Sequence, residues 1–371
     1  MNLNSISLPE SDPEATRMFS YSTISLMLHI PNSSIHEIAS NRSSAVRWLN
    51  LHVVPFHPRV KISTISVGND VNPLSNLSNY VLPAMKNVQE ALRQVGIRNI
   101  SVSTTFSFAR VMTTAFPPSS ARFQVSAMEA LVKPILNFIT ATNSSFLINL
   151  HPYHLYRCQP QIPIGFALFQ EEPFNFREDP LTGLRYRNLF DVMVDAVISG
   201  IESQGHRGVP VVVTETGWPS SDNTGHGDAK DVYAEMYVKG LVRHLRSGLG
   251  TPLRRDGVAE VYIYELFDDG GSPSSKWGIM YNNMTQKYNV DFSSSATSLV
   301  IDLSKQFALS MIILYLIPRG SDGNAERSSI PLPLQYLICL MKLYQTLIKP
   351  LPDVNAAAAA NSSFQISIYS Y

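Results

Sequence analysis

Two acidic side chains stand directly after apolar, strand-like segments, and they are the groups best suited to acid–base chemistry. Glu215 follows the apolar run 211–214, and Asp70 follows the run 65–69. The carboxyl ends of strands form the edge at which parallel α/β proteins assemble their active sites. Two carboxylates that face one cleft suit glycoside hydrolysis, because one donates a proton to the leaving oxygen and the other attacks or stabilises the anomeric carbon.

Each carboxylate also has a structural interpretation. Asp70 could cap a helix, but the next helical pattern begins near Ser78, too far away for a cap to reach the first turn. Glu215 could form a buried salt bridge or anchor a loop. The nearby aromatic residues could stack on sugar rings or pack in the core; they are Tyr153, Trp218, Phe267 and Trp277.

Strands alternate with helices over most of the chain. The helical stretches 80–95, 186–201 and 232–245 carry apolar residues at three- and four-residue spacing. Run 209–213 is apolar on both faces, as expected of a parallel strand that is covered on both sides. The alternation predicts a parallel α/β fold, open or closed. Its predicted strands are 23–30, 61–67, 99–105, 145–150, 209–214 and 259–267.

Composition excludes several classes of function. Lys+Arg and Asp+Glu both number 29, so no basic excess favours nucleic-acid binding. The two cysteines, Cys158 and Cys339, build neither a disulfide framework nor a metal site. No stretch is predicted to span a membrane, since the tail run 307–317 is too short. Residues 1–20 lack the apolar run of a secretory signal.

Several motifs, in one consistent order, resemble the plant endo-1,3-β-glucanases of glycoside hydrolase family 17. VTETGWPS at 213–220 is similar to the nucleophile motif of that family, and SVGNDV at 66–71 is similar to its acid/base motif. The similarity extends over about residues 22–292. Further landmarks are LPAM at 82–85, FPPS at 116–119, YRNLFD at 186–191 and WGIMY at 277–281.

The resemblance implies a TIM (β/α)₈-type barrel that hydrolyses internal β-1,3-glucosidic bonds with retention of configuration. Glu215 would be the nucleophile and Asp70 the acid/base, while Asn69 would bind the sugar 2-hydroxyl. No metal or organic cofactor is implied, and the partner would be a β-1,3-glucan polysaccharide bound by a monomer. The family also implies a secreted or cell-wall location and a part in plant defence. The remaining substrate-binding candidates are Tyr153, Trp218, Phe267 and Asp269.

Four departures from the family pattern concern the site and the barrel. Asp70 stands where the family has glutamate, which withdraws the carboxyl by about 1.5 Å, and a misplacement of about 1 Å can cost about 100-fold in rate. The segment after the last strand, 267–277, is shorter than in the family, with Asp269 at a glutamate position. The acidic and lysine residues that follow this position in the family have no clear counterparts here, and Lys276 is not assigned that role. His151 replaces the usual tyrosine. The match begins at the third family strand, 26–32.

The missing first two strand–helix units imply a barrel of six strands with two unpaired edges. We therefore expect an atypical N-terminal segment at 1–21, a partial hydrolase barrel at 22–292 and a poorly ordered tail at 293–371. Three interpretations stay open: an active endo-β-1,3-glucanase, a glucan-binding protein with impaired catalysis, and a fragment without function.

Overall fold

The structure is a computed structural model of the 371-residue chain. It describes residues 3–9, 11–172, 175–222, 227–268, 275–283, 285–290, 292, 298–300 and 365–369.

Parallel strands form the centre of the molecule. They close a barrel in the order β1-β10-β11-β9-β8-β5-β4-β3-β2, and β6 pairs with β7 in a separate antiparallel hairpin. The strands are β1 Leu3–Leu8, β2 Ser25–Ile30, β3 Lys61–Asn69, β4 Ser101–Ser107, β5 Phe146–Asn149, β6 Arg177–Glu178, β7 Arg185–Tyr186, β8 Val211–Thr216, β9 Glu260–Tyr264, β10 Ser298–Val300 and β11 Gln365–Tyr369.

Helices occupy the connections between the barrel strands from β1 to β9. The long helix α4 shows why they form, because its residues Val81, Met85, Val88 and Leu92 share one face and are fully buried. The helices are α1 Pro13–Arg17, α2 Asn32–Ser40, α3 Arg42–His52, α4 Ser78–Gln94, α5 Phe108–Val111, α6 Val125–Ala127, α7 Lys133–Thr142, α8 Pro152–Cys158, α9 Ile164–Ala167, α10 Leu189–Ser203 and α11 Asp231–Ser247, with a 3₁₀ turn at Pro118–Ser120 and a π turn at Met128–Val132.

Two apolar cores stabilise this arrangement. Met27, Leu147, Val212 and Tyr262 come from four different strands and contact one another inside the barrel. The outward-facing strand residues pack with the helices in a much larger cluster. Side chains thus fill the barrel, as they do in other small parallel barrels, and the polar groups lie towards the carboxyl ends of the strands.

The barrel fold and the six predicted strands are confirmed, but the sequence analysis missed strand β1. This strand pairs in parallel with β2, from Ser5 beside Ser25 to Leu8 beside Leu28, so the expected unpaired edge at β2 is wrong. The residues Ser5 and Ser7 face the polar interior and are fully buried, whereas Ile6 and Leu8 join the outer core. A strand that buries serines resembles a polar segment in sequence.

The predicted domain limits at residues 22 and 293 and the loss of two strand–helix units stay predictions. Apart from β10 and β11, most of the expected tail lies outside the described residues. Within the described ranges, no helix combines the length and the apolarity that a bilayer crossing requires.

Candidate active site

Glu215 lies near the end of strand β8, where the regular pairing breaks. The β5–β8 register shifts between Ile148 and Asn149, and the β8–β9 register shifts between Val213 and Thr216. Such bulges commonly occur at barrel rims and change the direction in which a side chain points. The residue is 4% exposed, and its carboxylate reaches side chains from the ends of β3 and β5.

Two side chains hold the two oxygens of the Glu215 carboxylate separately. Asn69 Nδ2 donates a hydrogen bond to Oε1 at 3.0 Å, and His151 Nε2 lies 3.2 Å from Oε2. Asn69 is held in turn by Asn149, which donates from Nδ2 to Asn69 Oδ1 at 2.9 Å and accepts from the hydroxyl of Thr214 at 2.8 Å. This network restricts the carboxylate to one orientation, because the buried Asn149 and Thr214 have few alternative partners.

The backbone of Asn69 is fixed by a side chain from the neighbouring strand end. Asn32 accepts from the Asn69 amide at 2.9 Å and donates to its carbonyl oxygen at 2.8 Å. Gly68 precedes this clamp with φ at +83°, and a Cβ atom there would lie 2.7 Å from Ile35 Cδ1. Glycine is therefore required on steric grounds at this position of the predicted acid/base motif.

Asp70 faces an arginine that the sequence analysis did not consider. Arg110 Nε lies 2.8 Å from Asp70 Oδ1 in a partly exposed ion pair, although the contact lacks the angles of a hydrogen bond. Asp70 cannot cap α4, because that helix begins at Ser78. Arg110 belongs to α5, directly after β4, so the end of β4 contributes to the site in addition to the ends of β2, β3, β5 and β8.

Gly217 allows the ends of β8 and β9 to approach closely. A Cβ atom there would lie only 2.4 Å from the carbonyl oxygen of Tyr264 and 3.3 Å from Trp277 Cε3. The glycine of the TETGWP run is thus needed because another backbone occupies the space of a side chain. This contact fixes the chain immediately after Glu215.

The aromatic candidates form a wall beside Glu215. His151 contacts Trp277 and Tyr264 edge to face, with ring centroids 5.3 and 5.7 Å apart. Tyr153 lies between Trp218 and Trp277, at centroid distances of 5.0 and 5.8 Å. The wall is therefore continuous from strand β9 to helix α8.

The predicted sugar-binding residues differ in exposure. Tyr153 and Trp218 are 4% and 1% exposed; the tyrosine hydroxyl donates to Asp222, and the indole N–H donates to the Asp228 carbonyl at 2.8 Å. Neither ring therefore offers an open face for stacking, and both support the wall. Phe267 is partly buried, and Asp269 lies outside the described residues. The roles of all four residues in substrate binding stay predictions.

A buried ion pair fixes the loop after β9. Lys287 Nζ lies 2.7 Å from Asp268 and 3.2 Å from Ser220 Oγ, so it joins this loop to the end of the nucleophile motif. Its side chain is 2% exposed. Lys276, the lysine within the shortened segment, is exposed and pairs through its backbone with Ser221.

His151 is the histidine whose ring contacts the Glu215 carboxylate. The residue surface of the neighbouring His154 is exposed, but loss of solvent around its ring and the charge of His151 lower the pKa of His154 to about 4. His151 Nδ1 is buried and has no hydrogen-bond partner among the described residues. The part of the chain that the structure describes holds no group of three or more His, Cys, Asp or Glu residues that could bind a metal.

Sequence reasoning identified Glu215, Asn69 and Asp70, and the structure brings them to one edge of the barrel. It missed Asn32, Asn149 and Arg110, and it recorded His151 only as a departure from a family. The positions of these four residues, each at or shortly after a strand end, were the signal that could have found them.

The family assignment follows from the match to a family model. The model of glycosyl hydrolases family 17 matches residues 1–292, which is more than half of the chain. The chain therefore belongs to this family, and the parallel barrel with Glu215 near a strand end agrees with that assignment.

Individual relatives agree with the family. Glucan endo-1,3-beta-glucosidase 13 of Arabidopsis thaliana is 34% identical over 304 residues, which cover 80% of this chain and 59% of that protein. CJP38, a beta-1,3-glucanase and allergen of Cryptomeria japonica pollen, is 34% identical with a TM-score of 0.72, covering 78% of this chain and 90% of the solved one. One of two plant beta-glucan endohydrolases with distinct substrate specificities is 30% identical, with a TM-score of 0.71 and coverage of 78% and 91%.

The chain matches only part of each of the first three curated relatives. The chain spans less than two thirds of the length of the first three of them, at 59%, 56% and 60%. Of the two solved chains, in contrast, 90% and 91% are covered.

Proposed function

We propose that this protein hydrolyses internal β-1,3-glucosidic bonds of β-1,3-glucans, and that Glu215 is its nucleophile. The observation that carries the proposal is the Glu215 carboxylate, buried near a barrel strand end and held by one side chain on each oxygen. The names of the related glucanases support the substrate class. We further propose an extracellular or cell-wall location.

The proposed reaction is a double displacement. Glu215 attacks the anomeric carbon and forms a glycosyl–enzyme bond, while the leaving oxygen takes a proton from Asp70. Asp70 then removes a proton from water, the water oxygen attacks the anomeric carbon, and the bond to Glu215 breaks. The reaction thus consumes one glycosidic bond and one water molecule, and the anomeric carbon at the new reducing end keeps its configuration.

The ion pair with Arg110 favours a second candidate function, glucan binding with impaired catalysis. The Asp70 carboxyl is one methylene shorter than the family glutamate, and Arg110 Nε lies 2.8 Å from its Oδ1. The carboxyl must leave this partner before it can donate a proton. Sedimentation with insoluble β-1,3-glucan, without the release of reducing ends, would identify this second function.

The nucleophile assignment is tested by Glu215→Gln. We expect this variant to lose at least about 1,000-fold in hydrolysis of soluble β-1,3-glucan, because an amide cannot form the glycosyl–enzyme bond. The matched control is Glu178→Gln, since Glu178 forms a partly exposed ion pair with Arg185 in the β6–β7 hairpin. Full activity in a folded Glu215→Gln protein would exclude the assignment.

The reach of the proton donor is tested by Asp70→Glu. The longer side chain returns the carboxyl by about 1.5 Å, so we expect hydrolysis to rise by up to about 100-fold. The measurement is the rate of reducing-end release at saturating glucan, with circular dichroism to verify folding. A folded, glucan-binding variant without any gain would reject limited reach as the cause.

The lack of a cofactor, the lack of nucleic-acid binding and the monomeric state stay predictions. They rest on composition and on family resemblance, as does a part in plant defence.

A further inference from the structure

Among the described residues, His151 is a titratable side chain that contacts the Glu215 carboxylate directly. Its Nε2 lies 3.2 Å from Glu215 Oε2, and its side chain is 16% exposed. It follows strand β5 directly and precedes helix α8, so a rigid element holds it on each side. Imidazole is also the side chain that ordinarily changes charge between about pH 5 and 8.

We propose that His151 is a positioning residue that switches the nucleophile with pH, a role that rests on the proposed hydrolase function. The neutral imidazole donates from Nε2 and orients Oε2, as Asn69 orients Oε1. The protonated imidazole makes an ion pair with Glu215. Its positive charge weakens the nucleophile and opposes the positive charge that develops at the anomeric carbon in the transition state.

The surroundings of the His151 ring are compatible with a neutral imidazole and with a positively charged one. Nδ1 is buried without a hydrogen-bond partner among the described residues, so the neutral ring carries its proton on Nε2, towards Glu215. Protonation of Nδ1 would create a buried donor without a partner, which is unfavourable, whereas a positively charged ring would form an ion pair with Glu215.

Three aromatic rings pack against His151. Among the described residues they belong to His154 of α8, Tyr264 of β9 and Trp277. The pKa of His154 is lowered to about 4 by burial and by the charge of His151, and a tyrosine ordinarily ionises near pH 10. A change of activity around neutral pH would therefore report on the His151–Glu215 pair.

The first experiment compares pH profiles of kcat/KM on soluble β-1,3-glucan for three proteins. Glutamine at position 151 can donate to Oε2 but cannot titrate, and phenylalanine can do neither. From pH 7.5 to pH 5 we expect the wild type to lose on the order of tenfold more kcat/KM than His151→Gln loses. His151→Phe should have a lower kcat than His151→Gln at both pH values. His206→Gln is the matched control, because the partly exposed His206 side chain hydrogen-bonds Thr140, away from Glu215.

The second experiment does not require activity. The Cε1–H signals of the nine histidines are followed by NMR during a pH titration, and the His151 signal is assigned by its loss in His151→Gln. We expect Glu215→Gln to lower the midpoint of the His151 titration by about one pH unit or more, because an opposite charge within hydrogen-bond distance is removed.

The outcomes separate this inference from the proposed function. An unchanged midpoint in Glu215→Gln would overturn the coupling of the two groups, whether or not the protein hydrolyses glucan. Parallel pH profiles of active wild type and His151→Gln would overturn the switch. A wild type that shows the midpoint shift but no hydrolysis would refute the proposed function and leave the pairing established.

Discussion

Replacing Gly217 by alanine tests whether the close approach of β8 and β9 determines the position of Glu215. The added Cβ would lie 2.4 Å from the carbonyl oxygen of Tyr264, whereas ordinary contact begins at 3.4 Å. The two backbones must therefore separate by about 1 Å. Because the obstacle is a backbone atom of the barrel, rotation of a side chain cannot relieve it.

Two consequences of this separation are measurable. Overpacking of a well-packed interior costs about 1–3 kcal/mol, and we expect a loss of that size in the free energy of unfolding in urea. A displacement of about 1 Å at a catalytic carboxylate can cost about 100-fold in rate, and we expect a comparable fall in kcat on β-1,3-glucan. The KM should change less, because the remaining sugar contacts are kept.

Gly165 provides the matched control. A Cβ atom at this position of α9 would lie 3.4 Å from Asn175 Nδ2 and 3.5 Å from Gln170 Cβ, which is ordinary contact. Alanine there should leave kcat unchanged and alter stability by less than about 1 kcal/mol. If Gly217→Ala unfolds at the same urea concentration as Gly165→Ala and keeps the wild-type kcat, the proposed role of the close approach is refuted.

Two further predictions concern the backbone clamp and a buried acid. Asn32→Ala should lower the free energy of unfolding by about 1–2 kcal/mol and reduce kcat, because it removes both hydrogen bonds to the Asn69 backbone. Ser34→Ala, which leaves both of these hydrogen bonds in place, should match the wild type. Burial raises the pKa of Asp195 from 3.8 to about 7, so its stabilising effect is complete below about pH 4 and is lost as the pH rises through 7. The free energy of unfolding should therefore be higher at pH 5 than at pH 8 by up to about 3 kcal/mol. Asp195→Asn should reduce this difference, and a free energy of unfolding that does not change with pH would contradict the assignment.

The His244–Asp191 pair adds to the same pH dependence. Burial opposes the charged form of His244, but the hydrogen bond and charge of Asp191 outweigh that effect and raise its pKa above the usual value. Stability from this pair is present below about pH 6.5 and is lost as the pH rises through the folded pKa. Above pH 6.5, the free energy of unfolding should therefore fall less steeply with pH in His244→Gln than in the wild type. An unchanged pH dependence would contradict the assignment.

The sequence by itself determined the parallel α/β class, six strand positions and the acidic residue at the end of β8. These follow from local properties, because strand and helix periodicities and the position of Glu215 after a buried run are readable from neighbouring residues alone. The start of α4 near Ser78 was also predicted, and the structure agrees.

Only the tertiary structure decided which polar groups meet. Asn32, Arg110 and His151 are far apart in sequence, and their contacts depend on the order of strands around the barrel and on the register shifts beside Asn149. Strand β1 was equally invisible, because its inward serines contact the polar barrel interior rather than solvent. Contacts between strand ends are long-range in sequence, and no local pattern encodes them.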